Sequence, residues 1–427
     1  MAKLTLGNSE GAIALYYKEG ENKKEEVFGL SLPNVFGTLS EDGTFSRINK
    51  NDKNIVFSGL KQISSSAFKC SFIYNDLLED VSFPDLIEIN GSQACYRGFY
   101  SATNIKKVTM PQLHKIIGDN ACTGMFAYVD SINEINLSNL EEVSGSSACR
   151  DMFAGDYFNI STVSLPNLKK IVGERAFESF AFGSWESDIR HIDLSSLQEI
   201  SGEEVCNSAF SNCYMLEDEV LDLSSLTTIS GDSACTYMFS YMSDTTKKVD
   251  LSKLSNLSGQ ECCKSMFDYA NVVELDIKSL PNIPPYGFAG ICVSCPVESV
   301  NLQSLSSVEE YGLQNAFPSA SLEHIKDGIP DDSDVNTFYH SIKSLGEYSM
   351  TGTFKKNTAL KSARFDSLKV VASTSFGDGA YRTPYVFDGC TALTEIHFRA
   401  DAQTTIEAMT GYSSKWGATN ATIYFDL

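Results

Sequence analysis

The 427 residues are 42% hydrophobic and 21% charged, enough apolar content for a large packed core and too much for a disordered chain. With 33 Lys and Arg against 55 Asp and Glu the formal charge is −22, so no wide phosphate-neutralising face is expected and nucleic acid is a poor partner. At about 150 residues per domain the length suggests about three domains, a count that a repeat architecture would make meaningless.

The chain opens with one short apolar stretch, Gly11 to Tyr17, which lacks the basic region and small-residue cleavage site of a signal peptide. No apolar run approaches the roughly 18 residues a membrane span needs, so no membrane insertion is expected. The expectation is a protein made and kept in the cytoplasm unless lysis or another non-Sec route releases it. Gly7-Asn8-Ser9-Glu10-Gly11 matches Gly-x-Ser-x-Gly, but a nucleophile elbow needs a buried strand that turns sharply into a helix within an α/β sheet, and this match lies at the extreme N-terminus ahead of the β repeats. No enzyme is expected. Residues 1–54 stand apart from the rest. Glu41-Asp42-Gly43, between alternating segments, reads as a hairpin turn.

From residue 55 the chain repeats itself. VSFPDLIEINGSQACYRGF from Val81, VTMPQLHKIIGDNACTGMF from Val108 and LDLSSLTTISGDSACTYMF from Leu221 share one pattern with copies at Ile135, Val163, Ile192, Val249 and Leu275. The spacings are 27, 27, 28, 29, 29, 28 and 26 residues, with an earlier copy at Ile55 and degenerate ones near Val300, His340 and Ala363. Apolar-x-apolar-x-x-Leu at a period of 20 to 29 is the signature of a leucine-rich solenoid, one short strand per unit. In Ile135-Asn136-Leu137 the outer two side chains face the core and the middle one faces out. The predicted fold is therefore a mostly β leucine-rich repeat solenoid of about a dozen units, capped at both ends. Residues 1–54 form a cap or attachment segment, 55–400 the repeats and 401–427 a C-terminal cap. The last of these reads as a short helix from about Thr405 to Lys415 and a closing strand Thr422 to Phe425.

The stretches Ser64 to Cys70 (SSSAFKC), Leu165 to Phe177 (LPNLKKIVGERAF), Ser208 to Asp218 (SAFSNCYMLED) and Phe387 to Ile396 (FDGCTALTEI) resemble the BspA-like leucine-rich repeats over about residues 55–400. The units here are longer, and most put Ala-Cys where that family has Ala-Phe. The C-terminal stretch looks like the terminal cap of such proteins in gut bacteria and their phages, and the opening resembles the start of repeat-bearing phage structural proteins. The leading expectation is a non-enzymatic recognition protein for a protein or surface glycan. Its finer form is a virion component, tail- or fibre-associated, joined to other virion proteins through residues 1–54. The competing expectation is an intracellular or cell-surface repeat scaffold or adhesin of a bacterium or microbial eukaryote.

Three sets of side chains invite chemistry. Cys95, Cys122, Cys149, Cys206, Cys235 and Cys263 fall in one slot that Phe68, Phe177 and Phe288 fill elsewhere. A slot shared with Phe is an apolar interior one, so a reduced, buried ladder is expected ahead of metal or disulfides. Cys292-x-x-Cys295, with Cys262 and Cys263 one unit earlier, would make a four-sulfur zinc site, but Cys292 takes the slot of Phe126, Phe153 and Phe239 and packing is favoured. No metal and no cofactor are expected. The middle strand residues give an outward column, Ser82, Thr109, Asn136, Ser164, Asp193, Asp222, Asp250, Asp276 and Asn301. Aspartates at about 4.8 Å spacing repel, and calcium or a polyol or amine ligand would relieve them, although a solvated face is favoured over calcium. Asp193, Asp222, Asp250, Asp276, Asn136 and Asn301 are thus one candidate binding face. The other is aromatic: Tyr128, Tyr157, Trp185, Tyr241 and Tyr269 lie on loops of varying length, where such side chains give contact area at low entropic cost. They could equally cover the core.

Overall fold

In the computed structural model of the chain the described residues are 2–8, 11–17, 37–39, 54–57, 60–132, 134–158, 160–187, 189–213, 216–242, 245–322, 324–327, 337–340 and 342–426. They form a parallel β-solenoid with almost no helix. It divides into two compact units, residues 1–197 with 204–216, and residues 198–203 with 217–427.

Each turn of the first unit begins with a three-residue strand. Asn54–Val56, Asp80–Ser82, Lys107–Thr109, Glu134–Asn136, Thr162–Ser164 and His191–Asp193 stack in chain order as a six-stranded parallel sheet. Register is unshifted, Val108 opposite Ile135 and Ile135 opposite Val163. Val108 and Met110 are buried while Thr109 between them is half-buried, the alternation the sequence dictates. Leu113 then turns inward and a second short strand, Lys115–Ile117, pairs with Glu88–Asn90 and Glu142–Ser144.

A glycine follows most of the second strands, and its missing side chain sets how closely those turns approach. Gly118 and Gly145 have φ of 123° and 121°, and a Cβ on Gly145 would sit 2.6 Å from the Gly118 carbonyl carbon. In the second unit Gly231 and Gly259 repeat the arrangement, with a Gly259 Cβ 2.3 Å from the Gly231 oxygen.

The rest of each turn is a ribbon of overlapping β-turns. In the first complete turn Ala67, Ser71 and Asn75 donate back three residues to Ser64, Phe68 and Phe72, while Ser66, Phe68, Cys70, Phe72 and Tyr74 donate to carbonyls of the next turn. Ser66, Cys70 and Tyr74 sit at φ of 58°, 52° and 56°, the left-handed third position that a type II turn requires. Most such positions here carry Ser, Asn, Tyr or charged residues instead of glycine. The between-turn hydrogen bonds hold them there against a cost of about 1–2 kcal/mol per residue.

The core is a set of ladders. Phe72, Phe99, Phe126 and Phe153 stack face to face on successive turns, with centroids 4.9, 5.1 and 5.5 Å apart. In the second unit Phe239 stacks on Phe267 at 5.9 Å. Its main strands run Val220–Asp222, Lys248–Asp250, Glu274–Asp276, Ser299–Leu302, Thr337–His340, His324–Asp327, Ser362–Phe365, Glu395–Phe398 and Thr422–Phe425 across one parallel sheet.

Several expectations need adjustment. The degenerate copy expected near His340 is two strands, and Thr337–His340 pairs ahead of His324–Asp327, so spatial order departs from chain order there. The helix expected over Thr405 to Lys415 is a helix at Gln403–Glu407 and a 3-10 segment at Tyr412–Gly417. Gly411, at φ 82°, separates them, and Trp416 in left-handed conformation turns inward. The closing strand lies where it was expected, Thr422–Phe425. Gly7 and Asn8 end a strand that pairs antiparallel with the strand beginning at Gly11, so the Gly-x-Ser-x-Gly match joins two strands and leads into no helix. The hairpin expected at Glu41-Asp42-Gly43 lies outside the described residues.

Candidate functional site

The Asn and Asp residues of the expected outward column have a local task in the turns that follow their strands. Where each strand ends, the side-chain Oδ1 accepts a hydrogen bond from the backbone N–H two residues on: Ser138 to Asn136 (3.1 Å), Ser195 to Asp193 (3.1 Å), Ser224 to Asp222 (2.9 Å), Ser252 to Asp250 (3.0 Å), Lys278 to Asp276 (3.2 Å) and Gln303 to Asn301 (3.2 Å). These are Asx-turns, which tilt the chain out of the strand and occupy an acceptor oxygen. Asp and Asn alternate in the slot because the turn needs an oxygen and not a charge. The column is also divided. Asn136 and Asp193 belong to the first unit's sheet, whereas Asp222, Asp250, Asp276 and Asn301 pair in register in the second unit's sheet. The Lys278 ammonium lies 3.6 Å from Asp276, and Lys248 on one strand faces Glu274 on the next at 3.8 Å.

The loop aromatics form clusters. In the first unit Tyr100 meets Tyr74 edge-on at 6.1 Å and Tyr128 at 5.3 Å. Tyr74 and Tyr128 are 63% and 42% exposed, so they do not complete the core. In the second unit Tyr241 and Tyr269 stack at 5.0 Å with rings 1° from parallel, 39% and 53% exposed. Tyr128, Tyr241 and Tyr269 all take a left-handed turn position that points the side chain off the ribbon. The side chains of Tyr157 and Trp185 lie outside the described residues; their backbones belong to paired strands Gly155–Phe158 and Gly183–Ser187.

Reading loops only up to Tyr269 missed a further row. Tyr286, Tyr311 and Tyr348 stack at 4.6 and 5.1 Å, on the column that carries Ser233 and Glu261 in earlier turns. Each follows Pro-Pro, Glu-Glu or Gly-Glu, and the 37 residues from Tyr311 to Tyr348 hide the register. The only signal was an aromatic two residues after the turn position.

The cysteine slot is the interior one expected. Backbone hydrogen bonds align Phe68, Cys95, Cys122, Cys149, Phe177 and Cys206 in the first unit, and Cys235, Cys263 and Phe288 in the second. All twelve cysteines are free, and all but Cys70 are buried. Burial pushes the Cys95 and Cys149 thiols up, helped by their hydrogen bonds to Cys122. Cys292 lies in line with Phe267 and Phe317, and burial raises it too. Cys213, Cys295 and Cys390 donate their S–H to the carbonyls of Phe210, Phe267 and Phe354 at 3.0, 3.1 and 3.0 Å, and burial pushes Cys390 up to about 12. Among the described residues no group of three or more His, Cys, Asp or Glu side chains could hold a metal ion. No helix among them is long and apolar enough to cross a membrane.

The model of the BspA-type leucine-rich repeat region, six copies long, matches residues 40–181, 74–236 and 150–326. The chain belongs to the BspA-type leucine-rich repeat family. No curated protein matches it. Solved structures similar to this BspA-type chain include a leucine-rich cell surface protein from Faecalibacterium prausnitzii A2-165, at 15% identity, 88% of this chain, 87% of that one and a TM-score of 0.27. A leucine-rich repeat protein from Bacteroides ovatus is 16% identical over 89% of this chain and 93% of that one, with a TM-score of 0.31. One from Eubacterium ventriosum is 15% identical over 82% and 75%, with a TM-score of 0.26.

Proposed function

We propose that this BspA-type chain is a non-enzymatic recognition protein that binds a protein or glycan on a cell surface through the tyrosines of its turn ribbons. The observation that carries this reading is the exposure of Tyr74, Tyr128, Tyr241 and Tyr269 in ring-to-ring contact on a rigid scaffold. Large aromatics left in water on turns fixed by backbone hydrogen bonds bind at small entropic cost. The aspartate column supports it less well, since one oxygen of each member already caps its own strand.

Binding of the full chain to a glycan array and to a panel of intact bacterial cells tests the proposal. Saturable binding to at least one is expected; none across both overturns it. The finer reading, a phage or prophage virion component attached through residues 1–54, rests on the terminal resemblances. Capsid or tail genes beside the reading frame support it, and metabolic or secretion genes there overturn it in favour of a bacterial adhesin or scaffold.

A further inference from the structure

One edge of the second unit combines an ordered aromatic row with an isolated aromatic knob and one dominant sign of charge. The row is Tyr286, Tyr311 and Tyr348. It is pinned rung by rung, because Tyr286 N–H donates to the Glu310 carbonyl and Tyr311 N–H to the Glu347 carbonyl, at 3.0 and 3.1 Å. The rings are stacked on one another, so most of their faces are already covered and the row offers phenol oxygens and ring edges. Carboxylates flank it. Glu310, Glu347 and Asp378 are exposed, Glu261 is half-buried, and these with burial raise the three phenols. Against them Lys264 is the ammonium that acts on Tyr286, and it is held by Glu261 at 3.0 Å.

The row runs into a locked turn. Asp378, whose charge acts on the Tyr348 phenol, accepts at Oδ1 from the Ala380 N–H at 2.9 Å and from the Thr383 hydroxyl. Asp378 and Gly379 N–H both donate to the Thr383 carbonyl, Thr383 N–H to Ala380, and Gln314 holds the Arg382 carbonyl at 3.2 Å. At the tip of this turn Tyr381 is 98% exposed. A tyrosine ring standing in water on so constrained a turn is already organised for a partner, and its faces, unlike those of the stacked row, are open.

We propose that Tyr381, with Asp378, Glu310, Glu347 and the tyrosine row, binds an arginine- or lysine-rich segment of a partner polypeptide. The open ring of Tyr381 takes a cation over its face. The carboxylates accept the N–H donors of guanidinium or ammonium groups, bidentately for arginine. The stems of those side chains lie along the phenol edges. A glycan is the less favoured occupant, since sugars stack on open ring faces and stacking covers both faces of Tyr311 and one face each of Tyr286 and Tyr348. Arg382 is the one basic group on the turn, and it opposes a cationic partner.

The inference rests on the reading of this chain as a recognition protein, and the assay separates the two. A labelled arginine–glycine repeat peptide, its citrulline counterpart and a neutral oligosaccharide are titrated by fluorescence anisotropy against the full chain at physiological salt. The arginine peptide is expected to bind and the citrulline peptide is not. Tyr381→Ala, whose side chain supports nothing beneath it, lowers affinity about threefold to tenfold. Glu310→Gln with Glu347→Gln lowers it about tenfold, Tyr311→Phe leaves it within about twofold because stacking persists, and Arg382→Gln raises it. The triple variant Asp222→Asn, Asp250→Asn, Asp276→Asn removes more charge and leaves it within about twofold. Equal losses in the triple variant, or no loss in Tyr381→Ala, would reduce the binding to net charge and overturn the proposal. Oligosaccharide binding that Tyr381→Ala abolishes would overturn it in favour of a glycan. If no peptide binds while cell or glycan binding of the full chain persists, this inference fails and the recognition function stands.

Discussion

Asp268 shows what a single buried atom does in this fold. Its Oδ1 is buried without a hydrogen-bond partner, and burial pushes the carboxyl up to about 6. A carboxyl raised in the folded state holds its proton there after the unfolded chain has released it, so the folded protein binds more protons between about pH 4 and 6. The contribution is complete below the unfolded value and is lost as pH rises through the folded one. Asp268→Asn should therefore melt higher than the parent at pH 8, by about 1 kcal/mol once the screening of a half-exposed group is counted, and the gain should shrink toward pH 4. Thermal melts across that range check it; a gain that grows as pH falls would contradict it. The Asx-turn column makes a second residue-scale prediction. Asp250→Asn keeps the acceptor for Ser252 N–H and should leave stability within about 0.5 kcal/mol, whereas Asp250→Ala should lose about 1 kcal/mol in urea unfolding. Equal losses would mean the charge mattered and not the oxygen.

A single turn of the solenoid is the unit at which most of the fold is fixed. Gly145→Ala brings a Cβ to 2.6 Å from the Gly118 carbonyl carbon and asks an L side chain to hold φ 121°, so a loss of at least about 2 kcal/mol is expected. Trp416 is fully buried, edge-on to Phe376 at 5.0 Å and Phe398 at 5.8 Å, with its indole N–H donating to Thr410. Trp416→Ala should cost about 3–5 kcal/mol in the second unit. The buried thiols should resist a thiol reagent in native protein, with Cys70 the accessible exception, and all twelve should react after denaturation. Rapid native reaction at Cys95, Cys122 or Cys149 would contradict the interior ladder. The repeat period, the alternation around Val108 and Thr109 and the Phe-for-Cys slot were legible because each is written as apolar side chains at fixed spacing. The turn ribbon was not, since its left-handed positions carry Ser, Asn, Tyr or charged residues and are held by hydrogen bonds to a neighbouring turn that no local signal announces. The swapped strands around His324 and Thr337 were hidden for a related reason: pairing partners there are not consecutive in the chain.

Over the whole molecule, several of the 33 basic side chains pair with some of the 55 acidic ones across neighbouring turns. Arg150 meets Glu178 at 3.0 Å, Lys169 meets Glu141 at 3.1 Å and Lys115 meets Glu142 at 3.1 Å, each pair joining neighbouring turns of the first unit. The aspartates that looked like a binding site cap strands, while Tyr74, Tyr128, Tyr241 and Tyr269 on the ribbons stay exposed. The candidate site was half legible for that reason: sequence spacing named both faces, but the Asx-turns that use one oxygen of each aspartate are visible only in the hydrogen bonds. The most direct test is binding to the same cells or glycan by two variants of equal folding stability. One carries Tyr74→Ala, Tyr128→Ala, Tyr241→Ala and Tyr269→Ala, and the other carries Asp193→Asn, Asp222→Asn, Asp250→Asn and Asp276→Asn. The tyrosine variant should lose at least about tenfold in affinity and the aspartate variant less than about twofold; loss confined to the aspartate variant would contradict the account.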